Sequence, residues 1–599
     1  MSVSSENVNV GELNKSLLHF DWSDYAVFLL MLAGSAMIGI YFGFVQRNSK
    51  KKSADTAHES EVANEYLMGG KRMSVFPVAV SLVASWISGI FLLGTATEIY
   101  LYGTNYIYVI ISLAVSGIII RFIFLPVFYN LQLTSTYEYL EMRFDKRLRM
   151  FGSVMYTIST ISYLPVVIYV PALAFNQVTG VNIHAVTPFV CLVCIFYTLV
   201  GGIKAVVWTD CVQMILMLLS MIVISIKGTI DITGLQTIWD RNWDGGRLNF
   251  PELTSDLTER HSVLSLLIGG IPLYVYTCSM SQSMLQRYVA LPSLKDANKA
   301  LIIFMILISA FIIICSYNGL LIYAWYAGCD PLKTKLISAP DQLLPLLMMN
   351  VLGDYPGMPG LFIAGIFSAA LSTLSTCLNS MAAVVLEDFC KPFVKSPLSE
   401  KRTGYIMRGT VLIIGIISVT LVFVVEYLGT VLQLTVTLSS MAAGPLFGLF
   451  TVGILCPWVK RRGALTGGIV SLLAMILMLI YAQHDIATGA LKFTRKPLST
   501  DGCNYSFTNV VEPTNSTLLV DEEESTFRIH HMSYLFYTLF GGVITIIVGS
   551  VTSLIWKEKT EEDVNPMLFS PFVRKFVTFK EVDRRSCVTH TFELKNVQT

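Results

Sequence analysis

The sequence predicts an all-α integral membrane protein with about thirteen transmembrane helices, on three grounds. Of its 599 residues, 54% are hydrophobic and only 14% are charged, whereas soluble proteins are about a quarter charged. The mean hydropathy of +0.62 excludes a disordered chain and also a soluble fold, which cannot bury so much apolar surface. Long uncharged stretches recur along the chain, and roughly 20 apolar helical residues cross a bilayer core about 30 Å thick.

Thirteen stretches of that length follow one another. They lie near 25–46, 74–101, 107–128, 151–178, 184–202, 207–228, 263–284, 300–327, 358–388, 407–427, 432–456, 464–484 and 532–556. The polar segment 1–24 precedes the first stretch, whose positive charges follow it rather than precede it. We therefore do not expect the first stretch to be a cleaved signal peptide.

The basic residues and the glycosylation sequons predict one orientation. With segment 1–24 outside, 29 of the 42 Lys and Arg residues fall on the cytoplasmic side and ten fall outside, as the positive-inside rule requires. The odd number of spans then places the tail 557–599 in the cytoplasm. All three Asn-x-Ser/Thr acceptors, Asn14, Asn504 and Asn515, fall in segments that this orientation places outside, where glycosylation occurs.

Charge and motifs exclude other classes of function. The 42 Lys and Arg balance 41 Asp and Glu, so net charge gives no reason to expect a nucleic-acid partner. The chain has no GxxxxGK[ST] loop and hence no ATP-driven motor of its own. It shows no nucleophile–base pair and no Cys/His grouping with metal-site spacing. We therefore expect neither an enzyme nor a structural metal centre.

The eleven cysteines do not form a secreted framework. Most lie inside spans, where cysteine packs as a small apolar residue. Cys329 and Cys503 both fall in segments predicted outside, the second in loop 485–531 between the last two spans of region 464–556. A disulfide can form in that compartment, but the sequence leaves the pairing of these two cysteines open.

The second span is not a plain anchor. It reads SVFPVAVSLVASWISGIFLLG, with Ser81, Ser85, Ser88 and Gly89 near its middle. Small residues can allow close helix packing. Alternatively, they mark an interrupted helix, which membranes tolerate only where the backbone is buried in protein or lines a cavity. For a cluster this dense we favour the interrupted, site-forming helix.

The seventh span is also interrupted, because Gly269, Gly270 and Pro272 fall in its first half and proline cannot donate its backbone bond. It lies five spans after the second and runs in the opposite direction. Two five-helix units, 74–228 and 263–456, would then be related by inversion, each beginning with a broken helix. This pattern is typical of a secondary transporter whose solute site lies near mid-membrane.

The ninth span carries a stripe of hydroxyls, Ser368, Ser372, Thr376 and Ser380, at a four-residue spacing that places them on one helix face. Hydroxyls and free carbonyls are hard oxygen donors of the kind that bind a small cation. The alternative is hydrogen bonding back to the preceding turn of the helix. For so dense a run we favour the cation site.

Two acids sit near span ends. Asp210, at the start of span six, is favoured there by the helix dipole, or alternatively gates or relays an ion. Glu98 lies near the outer end of span two, where we expect it to be solvated.

Five stretches of the chain resemble the sodium:solute symporter family. They are EYLMGGKRM (65–73), SLVASWISG (81–89), LVGGIKAVVWTDCVQ (199–213), QRYVA (286–290) and SAALSTLSTCLNSMAAVVLEDF (368–389). The resemblance implies the leucine-transporter-like fold with its 5+5 inverted repeat, an extracellular N-terminus, and a co-transported sodium ion without an organic cofactor. Sodium is thus the only metal expected.

The same resemblance implies a sodium site between the second and ninth spans. Its ligands would be the carbonyl oxygens of Ala84, Ile87 and Ala369 and the hydroxyls of Ser372 and Thr373. The family's acid at the start of the sixth span corresponds to Asp210, which the resemblance implies supports sodium coupling from the inner side.

Within the family, the motifs look closest to the branch that transports monocarboxylates, multivitamins and iodide. Phe91 stands where iodide transporters carry a glutamine, which argues against iodide. We therefore expect a small organic anion, attracted by the N-termini of the half-helices. The candidate pocket residues are Trp86, Phe91, Tyr274, Thr277 and Cys278, for which plain helix packing is the alternative.

The sequence as a whole predicts a multi-pass plasma-membrane symporter that imports a small organic anion with sodium by alternating access. The alternatives are another solute (iodide, a sugar or a choline-like compound), an ion channel, or a membrane sensor that binds its solute without transporting it. No oligomeric state is predicted.

Overall fold

The computed structural model describes residues 20–46, 66–248, 256–394, 398–425, 431–491, 493–505, 507, 528–556 and 565–576. This part of the chain is helical, with turns between the helices and no strand. Nine of its helices are long and apolar enough to cross a membrane, and a bent pair makes a tenth span. The predicted all-α membrane protein is therefore confirmed.

The α-helices are α1 (Trp22–Ile40), α2 (Val75–Trp86), α3 (Gly89–Tyr102), α4 (Val109–Ile119), α5 (Leu125–Leu131), α6 (Glu138–Arg143), α7 (Lys146–Thr179), α8 (Ile183–Asp231), α9 (Leu235–Asp244), α10 (Gly270–Val275), α11 (Gln282–Val289), α12 (Leu294–Tyr326), α13 (Leu343–Leu352), α14 (Met358–Val384), α15 (Glu400–Val425), α16 (Val431–Leu455), α17 (Arg461–Ala487) and α18 (Tyr537–Ile555). Several are extended by short 3₁₀ or π-helical turns, such as Tyr41–Gln46 after α1 and Val385–Cys390 after α14.

The second span is broken where the sequence predicts it. Helix α2 ends at Ile87, which is extended with φ −78° and ψ 112°, and Ser88 is extended as well. The Ser88 hydroxyl then accepts a 3.3 Å hydrogen bond from the Phe91 amide, which caps α3. The two halves meet at an angle of 62°. The small polar residues thus end one helix and begin the next.

The break in the seventh span lies later than predicted. The region of Gly269, Gly270 and Pro272 stays helical, as a π-helical turn (Ser265–Gly269) followed by α10. The chain leaves the helix only at Ser281, which is extended with φ −63° and ψ 134° and precedes α11. Glycine and proline weakened the helix enough for a π-helical turn to replace the α-helix locally, but they did not interrupt the helix.

Helix α8 runs for 49 residues, which would measure about 74 Å if it were straight. It is bent at Gly202, where φ is 59° and ψ is −157°, a conformation that favours glycine. A Cβ atom at this position would lie 2.6 Å from a ring carbon of Tyr66 and 2.9 Å from its carbonyl oxygen. Both backbone conformation and space therefore require glycine at the bend.

Helix α14 forms the centre of the molecule, since nearly all its residues are buried. Close approach of its neighbours depends on small residues. A Cβ at Gly360 would lie 2.4 Å from the carbonyl oxygen of Asp24 in α1, and one at Gly365 would lie 2.9 Å from the Cβ of Ser220 in α8. The hydroxyl-rich ninth span is therefore held among several helices rather than facing lipid.

A disulfide joins Cys329, just after α12, to Cys503 in the segment that follows α17. The two segments also share backbone hydrogen bonds, from the Gly502 amide to the Gly328 carbonyl at 2.8 Å and from Asp330 to Ser499 at 2.9 Å. The pairing that the sequence left open is thus formed.

Of the three predicted glycosylation acceptors, Asn504 is exposed, next to this disulfide. Asn14 and Asn515 lie outside the described residues.

Candidate functional site

An acid and an arginine are buried together where four helices meet. Asp210 of α8 accepts a 2.6 Å hydrogen bond from the Ser372 hydroxyl at Oδ1. Its Oδ2 accepts from the Ser81 hydroxyl at 2.6 Å, the Ser85 hydroxyl at 3.3 Å and the Arg287 guanidinium at 3.1 Å. The carboxylate therefore ties α2, α11 and α14 to α8. We call this set, with Thr376, the inner polar cluster.

Arg287 was counted among the cytoplasmic charges by the sequence analysis, but its side chain is only 4% exposed. Its Nε donates to the Ser81 hydroxyl at 2.7 Å and its Nη1 to the Ser283 carbonyl at 2.8 Å. Its Nη2 also donates to the Thr376 hydroxyl. A buried ion pair persists only when such extra hydrogen bonds satisfy it. Hydropathy patterns give no sign of this pairing, and the QRYVA motif that contains Arg287 was noted only for its resemblance to the family.

Three of the five predicted sodium ligands converge beside the break in the second span. The Thr373 hydroxyl of α14 donates back to the Ala369 carbonyl oxygen, four residues earlier in the same helix, at 3.0 Å and lies 3.5 Å from the carbonyl oxygen of Ile87. The Ser85 carbonyl oxygen, which the sequence analysis did not name, is 3.4 Å from the same hydroxyl. Because α2 ends here, its last carbonyls lack partners within the helix and are available to a cation.

The other two predicted ligands are placed differently. The Ser372 hydroxyl is turned toward Asp210. Ala84 is fully buried in the last turn of α2, and none of its atoms joins the oxygens around Thr373 through a described hydrogen bond.

The hydroxyl stripe of α14 is divided among several partners. The Ser372 hydroxyl donates to Asp210, and the Thr376 hydroxyl lies 2.8 Å from the Ser85 hydroxyl. Ser380 donates back to the Thr376 carbonyl at 2.8 Å, which is the alternative that the sequence analysis weighed. The Ser368 hydroxyl is buried and has no hydrogen-bond partner among the described residues. Part of the stripe is thus hydrogen-bonded within its own helix, and part faces the end of α2 at the break in the second span.

Three of the five predicted pocket residues form an aromatic group around the break. The Trp86 ring lies edge-on to Phe91 at 5.1 Å and tilted to Tyr274 at 6.0 Å. The Thr277 hydroxyl instead donates to the Leu273 carbonyl of its own helix at 2.9 Å. Cys278 is fully buried, and its one described polar contact is the Thr277 hydroxyl at 3.8 Å.

A second buried ion pair lies at the far end of α3. Glu98 receives two hydrogen bonds from Arg260, at 2.6 and 3.0 Å, and is only 5% exposed. The expectation that Glu98 is solvated was wrong, because the segment before the seventh span folds over it. His261 lies 3.7 Å from the same carboxylate and 3.1 Å from the Tyr534 hydroxyl. We call these four residues the outer polar cluster.

Arg260 and His261 precede the seventh span, and burial and nearby charge set their protonation states. Burial alone would lower the pKa of Arg260, but the carboxylate of Glu98 outweighs it and raises that pKa. Burial lowers the pKa of His261 to about 4, although Glu98 acts in the opposite direction. At neutral pH the cluster therefore holds one ion pair and one neutral imidazole.

Comparison with known proteins identifies the family. The sequence profile of the sodium:solute symporter family matches residues 66–471. Sodium-coupled monocarboxylate transporter 1 of Xenopus laevis is 37% identical over 542 residues, which cover 89% of this chain and 85% of that protein. A putative sodium-dependent multivitamin transporter of Drosophila melanogaster is 33% identical over 539 residues, covering 89% and 86%.

The fold agrees with that assignment. The structure of a Na⁺-coupled sialic acid symporter in a substrate-bound outward-open state matches with a TM-score of 0.70 and 24% identity, covering 90% of this chain and 98% of that one. The apolar spans, the broken second helix and the oxygens beside it are thus found in a chain with the fold of a sodium-coupled symporter. The protein belongs to the sodium:solute symporter family, and is a sodium-coupled transporter of a small organic solute rather than an enzyme.

Proposed function

We propose that the protein imports a small organic anion, a monocarboxylate or a vitamin-type carboxylate, together with sodium by alternating access. The observation that supports this most directly is the group of oxygens at the break, where Thr373 lies 3.0–3.5 Å from three carbonyls. Relatives named for monocarboxylate and multivitamin transport support the solute class.

In this proposal sodium binds between α2 and α14. Its ligands are Thr373 and the carbonyl oxygens of Ala369 and Ile87, with the Ser372 hydroxyl and the Ala84 carbonyl completing the family's set. Ser372 then leaves Asp210 when the ion arrives. The negative charge of Asp210 lies one hydroxyl away from the site, which is how it would support coupling to the inner side.

The anionic solute binds on the other side of the break. The N-terminus of α3 carries the positive end of a helix dipole, which favours a carboxylate. Trp86, Phe91 and Tyr274 lie beside it and provide apolar walls. Thr277 and Cys278 follow on the seventh span and extend the proposed pocket.

We also propose the full family architecture. If the bend at Gly202 divides α8, and the spans at 263–284 and 432–456 are counted, thirteen transmembrane helices result. Units 74–228 and 263–456 form the inverted repeat. The disulfide, a bond typical of oxidising compartments, supports an extracellular position for loop 485–531 and its acceptor Asn504, and hence a plasma-membrane protein.

The membrane potential supplies about 2.3 kcal/mol per charge per 100 mV. One sodium ion moving with one monoanion transfers no net charge. Accumulation driven by voltage would therefore require at least a second sodium ion per anion.

A tracer-uptake panel tests the proposal. Pyruvate, lactate, butyrate, biotin, pantothenate, iodide and glucose are offered to cells or proteoliposomes with and without sodium, and we expect sodium-dependent accumulation of a carboxylate. Accumulation of iodide or glucose alone would contradict the solute class. Binding of solute without accumulation would instead identify a sensor.

A double variant tests the sodium site. Ser372→Ala with Thr373→Ala should raise the sodium concentration needed for half-maximal uptake at least tenfold, with surface expression retained. Ser375→Ala is the matched control, since that hydroxyl donates to the Ser372 carbonyl of its own helix at 3.0 Å and belongs to neither the predicted sodium ligands nor the inner polar cluster. An unchanged sodium requirement in the double variant would refute the site.

A further inference from the structure

A carboxylate and two imidazoles meet at the end of α17, and none of the three belongs to the inner or outer polar cluster. Asp485 Oδ2 lies 2.8 Å from Nε2 of His530 and 2.9 Å from Nε2 of His531. The three ligand atoms all lie within 4.8 Å of one another. Asp485 is buried, whereas both imidazoles are partly exposed, so the group is reached from solvent.

We propose that Asp485, His530 and His531 form a binding site for a divalent transition-metal ion, with Zn²⁺ as the best match. Imidazole nitrogen and carboxylate oxygen are the donors that zinc prefers, and sites with three protein ligands leave a fourth position to water. Hard cations such as Ca²⁺ and Mg²⁺ prefer oxygen ligands alone and fit this set poorly.

The spacing of the donors agrees with the geometry of such an ion. Ligands at about 2.0–2.2 Å from a tetrahedral zinc lie roughly 3.3 Å from one another. The Asp485 oxygen and each imidazole nitrogen need to separate by only about 0.5 Å to reach that distance. The rings of His530 and His531 lie 4.7 Å apart and their ligand atoms lie within 4.8 Å of each other, so the two imidazoles would approach each other by at most about 1.5 Å when the ion binds.

Three imidazoles converge on this one carboxylate. Both Nε2 atoms point at the same carboxylate oxygen, while Oδ1 already has the Nδ1 of His484 at 3.2 Å. A metal would take both Nε2 lone pairs and one carboxylate oxygen together. Spacing rules miss such a site, because Asp485 and the histidine pair are 45 and 46 residues apart. Sodium would then not be the only metal that the chain binds.

A bound ion would also brace the outer polar cluster. Two residues after His531, the Ser533 hydroxyl donates to the Arg260 carbonyl at 2.8 Å and its amide to the Leu257 carbonyl at 2.9 Å. Tyr534 then contacts His261. The short stretch from His530 to Tyr534 therefore links the proposed metal site to the segment that covers Glu98.

The test is a titration of the purified full-length protein with ZnCl₂, followed by calorimetry and by thermal unfolding. The variant His530→Gln with His531→Gln keeps an amide donor for Asp485 but removes both ligands. Outer-shell partners alone are worth about 10–100-fold in metal affinity, so losing two ligands should weaken zinc binding at least ~100-fold. His184→Gln, at the start of α8, is the matched control and should stay within about threefold of wild type.

We expect one zinc ion per chain and an unfolding temperature that rises with zinc but not with calcium or magnesium. Equal zinc affinity in the wild type and the double variant would overturn the proposal, as would the absence of binding at submillimolar zinc. If the double variant does not fold, the single variant His531→Gln decides the question, since it removes one of three ligands and should weaken binding at least tenfold.

Discussion

The inner and outer polar clusters both bury an arginine and an acid against the broken second span, but they are built differently. In the inner cluster the Asp210 carboxylate is shared among hydroxyls of α2 and α14 as well as Arg287. In the outer cluster Arg260 donates a hydrogen bond to each of the two carboxylate oxygens of Glu98. Its guanidinium also lies over the rings of Tyr102 and Tyr534, at 4.7 and 5.1 Å from their centres.

The difference suggests different tasks. Hydroxyls rotate at little cost, so the partners of Asp210 can exchange when an ion arrives. A bidentate arginine packed on aromatic rings is fixed in one geometry. We therefore interpret the inner cluster as the part that responds to sodium, and the outer cluster as a clamp that holds the loop before the seventh span on α3.

The largest expected effect is that of Arg287→Met in the inner cluster. It leaves the Asp210 charge buried without its partner, and breaking such a pair costs about 3–5 kcal/mol. We expect little folded protein by size-exclusion chromatography of the detergent-solubilised variant. Adding Asp210→Asn should restore much of the folded fraction without restoring uptake. A stable single variant would show that the cluster is not a buried ion pair.

The corresponding change in the outer cluster, Arg260→Met, should be less damaging, because solvent reaches this end of the molecule more easily. Removing one partner of a hydrogen-bonded charge pair costs about 2–5 kcal/mol, and we expect the lower end of that range. Thermal unfolding measures the loss. The sodium requirement of the remaining uptake should be unchanged; a shift in it would contradict the interpretation that the inner cluster, and not the outer one, responds to sodium.

Acid should weaken the outer cluster through His261. Its pKa is about 4 in the folded protein against about 6.5 when unfolded, so the unfolded chain binds the proton first. The stability that depends on a neutral His261 is therefore fully present above pH 6.5 and is lost as the pH drops toward 4. At pH 5.5 the loss is about 1.4 kcal/mol. Unfolding curves at pH 7.5 and 5.5 should show it, and His261→Gln should abolish this component.

The smallest effect expected is that of Thr376→Val in the inner cluster. It removes the hydroxyl that Ser85 and Arg287 share, at about 1 kcal/mol. Ser380→Ala serves as the control, since Ser380 donates mainly to its own helix. If both variants unfold at the same temperature as wild type, Thr376 is not part of the network.

Much of this fold follows from local patterns, whereas the ion pairs do not. The run of apolar stretches and the cluster around Ser88 predicted the spans and the broken second helix, because each depends on neighbouring residues. The burial of Arg287 and Glu98 depends on partners 77 and 162 residues away. A hydropathy pattern assigns such charges to loops, since it carries no information about what folds over them.

The same limit explains the misplaced break in the seventh span. Glycine and proline indicated a weak helix, but where the helix stops is set by tertiary contacts. Of the predicted sodium ligands, Thr373, Ala369 and Ile87 lie together, while the Ser372 hydroxyl donates to Asp210, 162 residues away.

The bend at Gly202 has a mechanical consequence. Two long helical segments meet there without an intervening linker, so no flexible loop separates them. Tyr66 is wedged against the bend, its hydroxyl bonded to the Thr198 carbonyl at 3.0 Å. If the first segment tilts, the second segment moves with it. The second segment carries Asp210, about two helical turns beyond the bend.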